Sequence, residues 1–567
     1  MTRETGSTRT PAWRPTPVPA SHFRHRLPGV VVSLLLALLP LLRTTPLRAA
    51  SVLELQLDGL ALPIDLKQLQ DWSRAPDQTR GELASWLSLL DARSRRDLVQ
   101  LLRAPLLRDR SFGQQLLDSW TGEQLLQELA GLLNAGERGP DAQARSAELL
   151  RRTVSELLSR RGEFNSLDLL LALPPERVSL QLDGVLELAQ QWRDQLLLQR
   201  QALRQLPGLG LPERRSTPLV LSQESGQTIG LALRLPVSHR TAGLPLELWP
   251  ATGQPQGTWV VLMPGLGGSA GQLSWLAAAL SRWGWPVVVL DHPGSDASAL
   301  QASLVGRRPP PGAESLRERL ADVDAVLQAQ RQGRLAGLGA RAGAPAVLIG
   351  HSLGGLTALV AAGQQPEPGL GRRCRQALSR LPLTNLSRLL QCQLPGQRPG
   401  AAWASGSSPI AAVVAYNGFG SLLWPAGLRG LRQPVMLVGG SLDLITPPLS
   451  EQLAVFGQQR QGRSRLVVVE GGSHFSPVRV GSGDQALFQL GDDLVGVDPR
   501  KVQALLLQLT AEFLQSLEQP LLLSPQIRVL DGVRAHVLDG PLARRWSGRI
   551  RTPAVDPARP AAHRPPR

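Results

Sequence analysis

Two different periodicities divide this chain. From Ser51 to about Leu206 leucines recur at three- and four-residue spacing, through Leu83–Leu90, Leu98–Leu107, Leu116–Leu133 and Leu149–Leu158. That spacing puts one apolar stripe along a helix. Two shorter segments, Val52-Leu53-Glu54-Leu55-Gln56-Leu57 and Val178-Ser179-Leu180-Gln181-Leu182, alternate instead, as edge strands do. The stretch contains no histidine and no catalytic constellation. It predicts a mostly α-helical accessory domain over 51–206, occupied with packing or with binding a protein partner.

Near Pro218 the pattern changes. Leu219–Leu221, Thr228–Leu235 and Leu244–Trp249 read as opening strands. Short apolar runs then alternate with helical stretches: Trp259–Met263, Pro286–Leu290, Ala346–Ile349, Ile410–Ala415, Pro434–Val438 and Leu466–Val469. Alternating β and α units predict an α/β fold, a mostly parallel doubly wound sheet covered on both faces, over 218–518. Working residues in such sheets gather at the carboxyl ends of the strands. From Pro520 onward the periodicity fades while proline and arginine accumulate, which predicts a disordered tail over 520–567.

At the other end, the sixteen residues Leu27–Leu42 are nearly all apolar, preceded by a basic leader and followed by Arg43. Sixteen is short for a membrane span and suits the core of a signal peptide. Residues 1–50 thus read as an export signal cleaved near Ala50, or as an uncleaved membrane anchor through residues 27–42. Both place the remainder outside the cytoplasm, periplasmic or secreted, and both allow association with a membrane surface.

A chain of 567 residues exceeds one comfortable core, and 42% hydrophobic content permits two. The net charge of +16 raises a nucleic-acid reading until it is located. Residues 1–50 carry seven Arg against one Glu, and residues 540–567 seven Arg against one Asp, so twelve of the sixteen charges lie at the ends. The only lysines are Lys67 and Lys501, and no nucleic-acid-binding motif accompanies the charge. Nucleic acid is not an expected partner.

The candidate chemistry lies where Pro345-Ala346-Val347-Leu348-Ile349 runs into Gly350-His351-Ser352-Leu353-Gly354-Gly355 and then a small-residue helical run. A strand, a sharp turn and a helix lift a serine hydroxyl clear of the sheet edge, so Ser352 is the candidate nucleophile. A second Gly-x-Ser-x-Gly, around Ser269, stands well beyond its strand and lacks that junction. A serine needs a base, and the base an acid to hold its tautomer, in the chain order Ser, acid, His. Of the three histidines after Ser352, His536 and His563 lie in or beside the expected tail, which leaves His474, immediately after the last strand. His292 and His351 read as residues supporting the site, and His239 as a loop residue. Between Ser352 and His474 the only carboxylates are Glu367, Asp443, Glu451 and Glu470. Asp443 follows a strand and a Gly439-Gly440 turn and is the expected acid; Glu470, at a strand end, is the second choice, and a helix cap before Pro447 is the plain alternative for Asp443. The loop Pro264-Gly265-Leu266-Gly267-Gly268 is placed to supply an oxyanion donor from Leu266, with Leu353 giving the other. Without Gly-Lys-Ser/Thr, that loop is no nucleotide site. No metal or organic cofactor is implied.

On these motifs residues 218–518 resemble the α/β-hydrolase superfamily. The loops Leu290-Asp291-His292-Pro293-Gly294-Ser295 and Gly472-Ser473-His474-Phe475-Ser476-Pro477 are similar to those of the branch grouped with platelet-activating-factor acetylhydrolases and dienelactone-hydrolase-like proteins. The chain has Ser352 where dienelactone hydrolases carry cysteine, and Met-Pro-Gly-Leu-Gly where His-Gly is commoner in the oxyanion loop. The segment from Phe112-Gly113 to Leu133 resembles the domain of unknown function that precedes such hydrolases in cyanobacteria. The expectation is a serine ester hydrolase working through an acyl-enzyme, on lipid or other hydrophobic carboxylic esters. A thioesterase or peptidase with the same triad, and a non-catalytic envelope binding protein, are the alternatives.

Two features concern an insertion at about 366–409, read as a cap. Cys374 and Cys392 are the only cysteines, and an oxidising compartment predicts a disulfide between them. From 368 to 442 there is no Asp or Glu but eight Arg, among them Arg372, Arg373, Arg380 and Arg398, a charge excess suited to steering anionic esters.

Overall fold

The computed structural model describes residues 50–550 apart from 108–109, 136–140, 162, 175, 218–229, 380–381, 395–408, 458, 460, 480–495 and 520–521. The apolar segment Leu27–Leu42, the expected strand Leu219–Leu221, Arg380, Arg398 and His563 lie outside the described residues.

Val52–Leu57 (β1) and Leu60–Asp65 (β2) pair antiparallel across Asp58-Gly59, whose φ values of 48° and 79° are both positive. This two-residue turn matches the twist of a hairpin, and Asp-Gly is its favoured sequence. Pro105–Leu107 (β3) pairs with Phe164–Asn165 (β5), while Leu133–Asn134 (β4) and Arg177–Gln181 (β6) complete a sheet in the order β2-β1-β6-β4. The alternating segments expected at edges are therefore its two interior strands. Helices over Leu66–Arg74, Ala92–Arg103, Trp120–Leu132 and Ala142–Arg161 pack on this sheet, burying Leu66, Trp72, Leu150, Leu158 and Val178 in one core.

The larger sheet has eleven strands. In chain order they are Glu213–Arg215 (β7), Leu231–Val237 (β8), Arg240–Trp249 (β9), Trp259–Met263 (β10), Val287–Leu290 (β11), Ala346–His351 (β12), Ile410–Tyr416 (β13), Val435–Gly440 (β14), Arg465–Val469 (β15), Gln526–Leu530 (β16) and Val533–Leu538 (β17). Across the sheet the order is β7-β16-β17-β15-β14-β13-β12-β10-β11-β9-β8. The six central strands, β10 to β15, run parallel. Strands β10, β11, β12, β14 and β15 are buried along their whole length, which is why they read as unbroken apolar runs. Helices Ser274–Arg282 and Pro499–Glu518 cover one face; Leu316–Arg331 and Leu353–Ala361 cover the other. After β10 the chain crosses to one side for β11 and returns to the other for β12, so a crevice opens at the carboxyl ends of β10 and β12.

The disordered tail expected from residue 520 needs correction. Residues 526–538 form the hairpin β16–β17, which pairs with β15 and extends the sheet, and Gly540–Arg549 is a helix capped by Asp539. The turn is again Asp531-Gly532, with φ of 49° and 82°, between two alternating runs. That local signal outweighs the fading periodicity. The start of the sheet also shifts, because β7 precedes Pro218 and pairs with β16. Residues 50–180 keep a core of their own, and the two regions meet through the helix that follows it. The long helix Leu182–Gln205 ends with Ala202 and Leu206 in the same cluster as Trp546, whose Nε1 donates to the Ala202 carbonyl at 2.9 Å.

The first region also touches loops on the carboxyl edge. A Cβ on Gly306 would come within 2.0 Å of Ser111 Cβ, and Gln393 Nε2 donates to Thr121 Oγ1 at 3.3 Å. In the insertion, Leu370–Ala377 and Ser387–Cys392 are helices joined by a Cys374–Cys392 disulfide, with Cα atoms 5.4 Å apart and a sequence separation of 18. Closing a loop of that size stabilises by about 3 kcal/mol through the unfolded chain. The arginines there are not uniformly free for steering: Arg373 spends its donors on the carbonyls of Leu422, Pro368 and Glu367. Among the described residues no helix is long and apolar enough to cross a membrane.

Candidate active site

Ser352 stands where β12 ends and the helix Leu353–Ala361 begins, with φ 53° and ψ −118°. A non-glycine residue in that region is strained and is held only by its surroundings. Here the Ser352 N–H donates to the Tyr416 carbonyl on β13 at 2.9 Å. The flanking glycines are required by close approach. A Cβ on Gly350 would lie 2.1 Å from the Gly354 carbonyl oxygen, and one on Gly354 would lie 2.3 Å from the Met263 oxygen. The other motif lacks the strained serine: Ser269 has φ −125° and ψ 164°, ordinary extended backbone, and a Cβ on Gly271 would meet nothing closer than 3.8 Å, although one on Gly267 would lie 2.8 Å from the Leu300 side chain.

His474 and Asp443 come together from the loops after β15 and β14. Asp443 is fully buried, and its Oδ2 accepts from His474 Nδ1 at 2.9 Å. Its Oδ1 accepts from the backbone N–H groups of Ile445 and Thr446, both at 2.8 Å, and Thr446 Oγ1 donates to Oδ2 at 2.6 Å. Burial alone would push the Asp443 carboxyl up. The His474 charge and hydrogen bond, with those of Thr446, outweigh it and leave the pKa below the usual carboxylate value. An ionised carboxylate only accepts, so the proton of His474 sits on Nδ1 and Nε2 is left as the basic nitrogen. The helix-cap alternative for Asp443 is part of the same geometry, since the cap-like bonds from Ile445 and Thr446 hold Oδ1 and so turn Oδ2 toward His474.

The elbow and the histidine loop are joined directly. His351 Nε2 donates to the His474 carbonyl at 2.8 Å, Asn417 Nδ2 donates to the same oxygen at 3.1 Å, and the two histidine rings are 4.9 Å apart between centroids. Sequence reasoning missed Asn417 and Thr446. Asn417, with φ 49°, carries the one signal available, a small polar residue at the carboxyl end of a core strand.

Glu470 points elsewhere: its carboxylate pairs with His536 on β17. His536 is thus a buried structural partner rather than a tail residue. Glu451, fully buried, accepts from the N–H groups of Gly420 and Ser421 and from Asn385 and Gln391, tying the insertion to the loop after β13. Glu367 accepts from the Ala426 N–H. Among the described residues, neither the Leu266 nor the Leu353 N–H has an acceptor. The loop carrying Leu266 lies against the elbow, since a Cβ on Gly265 would be 3.0 Å from His351 Nδ1 and 3.2 Å from Ser352 Cβ.

A second buried cluster underlies the neighbouring loops. Asp322 accepts from His292 Nδ1 at 2.9 Å, from Arg240 Nε at 2.6 Å and from His239 Nε2 at 2.8 Å, so His239 is a hydrogen-bond partner of this cluster rather than a plain loop residue. Burial pushes His292 down to about 4, helped by the Arg319 charge, and burial beside His474 pushes His351 down to about 3. Both are neutral near pH 7. In the unfolded chain they titrate near 6.5, so above that pH they give stability no pH dependence. Below it the unfolded chain takes up protons that the fold refuses, and stability falls until the folded groups titrate near 4 and 3. The His292 gap, from 6.5 to about 4, corresponds to roughly 3 kcal/mol. Thermal unfolding followed from pH 7 to pH 4 should show Tm falling, with a shallower slope in His292→Asn; an equal slope in the variant would contradict this origin.

Among the described residues no group of three or more His, Cys, Asp or Glu side chains is placed to hold a metal ion. Comparison with known families follows the two regions. Residues 49–181 match the family described as an alpha/beta hydrolase of unknown function (DUF1400), and residues 260–482 match the family described as the alpha/beta hydrolase family. No curated protein matches the chain. With the strand order, the crevice at β10 and β12 and the strained serine between them, these matches support one assignment: the chain is built on the α/β-hydrolase fold, and both of its family matches lie with the α/β-hydrolases.

Proposed function

We propose that this hydrolase is a serine ester hydrolase working through an acyl-enzyme. The observation that carries the reading is the strained turn at Ser352 beside a buried His474–Asp443 pair whose basic Nε2 is free of the carboxylate. Ser352 Oγ attacks the ester carbonyl while His474 Nε2 takes its proton, and Asp443 holds the imidazole and stabilises its charged form. The negative charge on the former carbonyl oxygen falls to the N–H groups of Leu266 and Leu353. His474 returns the proton to the leaving alkoxide, and a water, activated in the same way, releases the acid. Neither step needs a metal or an organic cofactor.

The substrate class follows from resemblance and setting. The loops around His292 and His474 favour the platelet-activating-factor acetylhydrolase and dienelactone-hydrolase-like branch, with hydrophobic or lipid esters as substrates. The disulfide and the apolar segment Leu27–Leu42 favour an exported protein that works at or near a membrane surface. Contacts of Ser111 and Thr121 with carboxyl-edge loops favour a role for the first region in bounding the substrate's approach.

A fluorophosphonate, which reacts only with an activated serine, should label the purified protein at Ser352 and nowhere else. Labelling followed by turnover of p-nitrophenyl esters of graded chain length, but not of thioesters or peptides, supports the ester reading. Absence of labelling would overturn it in favour of a binding protein.

A further inference from the structure

Arg319 is an arginine with no exposed surface, on the helix Leu316–Arg331. Its donors are spent on two loops. Nη1 donates to the Pro264 carbonyl and Nη2 to the Gly265 carbonyl, both at 2.9 Å. Nε donates to Ser295 Oγ at 2.8 Å, and Nη2 reaches the Ser295 carbonyl at 3.3 Å. Ser295 in turn accepts from the Gly267 N–H at 2.8 Å. Burial pushes Arg319 down to about 9, which leaves it charged at neutral pH, with Asp322 one turn along the helix among the groups that favour the charge. A buried guanidinium is costly unless its donors meet acceptors in good geometry. Here the acceptors are the backbone of one short loop and the serine beneath it.

The consequence follows from the peptide plane. In a trans peptide the C=O and the N–H point in opposite directions. Arg319 holds the Gly265 oxygen, so the N–H of the same peptide, that of Leu266, points away from Arg319. The Pro264 oxygen one residue earlier is held as well, so the loop cannot rotate about one anchored peptide alone. The same loop rests against Ser352 through Gly265. Left free, this peptide could flip, because Gly265 on its amino side allows both orientations.

Resting on the serine-hydrolase reading above, we infer that Arg319 is a positioning residue for the oxyanion site: by binding the Pro264 and Gly265 carbonyls it aims the Leu266 N–H at the oxyanion formed on the Ser352-bound substrate. It touches neither substrate nor reacting atoms. Its effect belongs to the transition state, because a carbonyl oxygen gains its full charge only there.

The test uses the full chain with p-nitrophenyl butyrate as substrate and a trifluoromethyl ketone as a mimic of the tetrahedral adduct. Arg319→Lys keeps the charge but cannot span both carbonyls and Ser295. It should lower kcat by about 10²-fold, the scale of a misaligned catalytic donor, with KM within a few fold of the parent. The inhibition constant of the ketone should weaken in proportion to kcat/KM. In Arg319→Ala, millimolar guanidinium should restore part of kcat where sodium chloride at equal ionic strength does not. A kcat for Arg319→Lys within a few fold of the parent, or a loss confined to KM, overturns the inference. If Arg319→Lys does not fold, Ser295→Ala is read instead: a drop in kcat of five-fold or more at unchanged KM supports it, and unchanged kcat overturns it. Failure of the underlying reading shows separately, as a parent protein that the fluorophosphonate does not label.

Discussion

Ser352→Ala and His474→Ala should each lower kcat by about 10⁴-fold or more, and the double variant should be little worse than either single one, because nucleophile and base act as one unit. KM should change little, since neither side chain is required for ground-state binding. Folding should survive, as alanine at position 352 keeps the elbow's bond from its backbone N–H to Tyr416. Ser269→Ala serves as the internal comparison. Its backbone is ordinary extended chain with no strand-to-helix junction, so its loss should cost less than ten-fold. Steady-state kinetics on one ester, with thermal unfolding of each variant, checks all four. Collapse at Ser269→Ala with survival at Ser352→Ala would move the nucleophile to the oxyanion loop and undo the proposed mechanism.

Asp443→Asn should come next in size. The variant keeps its shape and its bonds from Ile445 and Thr446 through the side-chain oxygen. An amide nitrogen turned toward His474, however, donates where the carboxylate accepted. The imidazole is then driven to the other tautomer, with its proton on Nε2 and no base facing Ser352. The same exchange in the best-studied serine protease costs about 10⁴ in kcat. Glu470→Gln should leave kcat within a few fold, because that carboxylate is engaged by His536 on β17. The pair separates two assignments that a sequence allows equally well on chain order. A near-normal Asp443→Asn with an inactive Glu470→Gln would reverse them.

The central site was legible in the chain because its signals are local and directional. The run Ala346–Ile349 into Gly350-His351-Ser352 specifies a strand meeting a tight turn, and the clearances at Gly350 and Gly354 show that no larger residue fits. His474 and Asp443 were reached by elimination, because few histidines and carboxylates follow Ser352 and chain order limits their roles. Two Asp-Gly turns were equally local, yet the one at Asp531 was outweighed by the proline- and arginine-rich text beyond it, and a hairpin that extends the sheet was read as tail.

Other features could not be read in this way. Arg319 lies in a helix that looks like any amphipathic helix, and nothing within it says that its side chain reaches Pro264 and Gly265, more than fifty residues earlier in the chain. Likewise Glu470, four residues before His474, is turned toward His536, whereas Asp443, thirty-one residues away, meets the imidazole. The sequence by itself determined the alternation of strands and helices, the strained turn and the short list of groups able to serve it. Only the tertiary structure decided which of those groups meet, because successive side chains of a strand face opposite sides of a sheet and the order of strands brings distant loops to one edge.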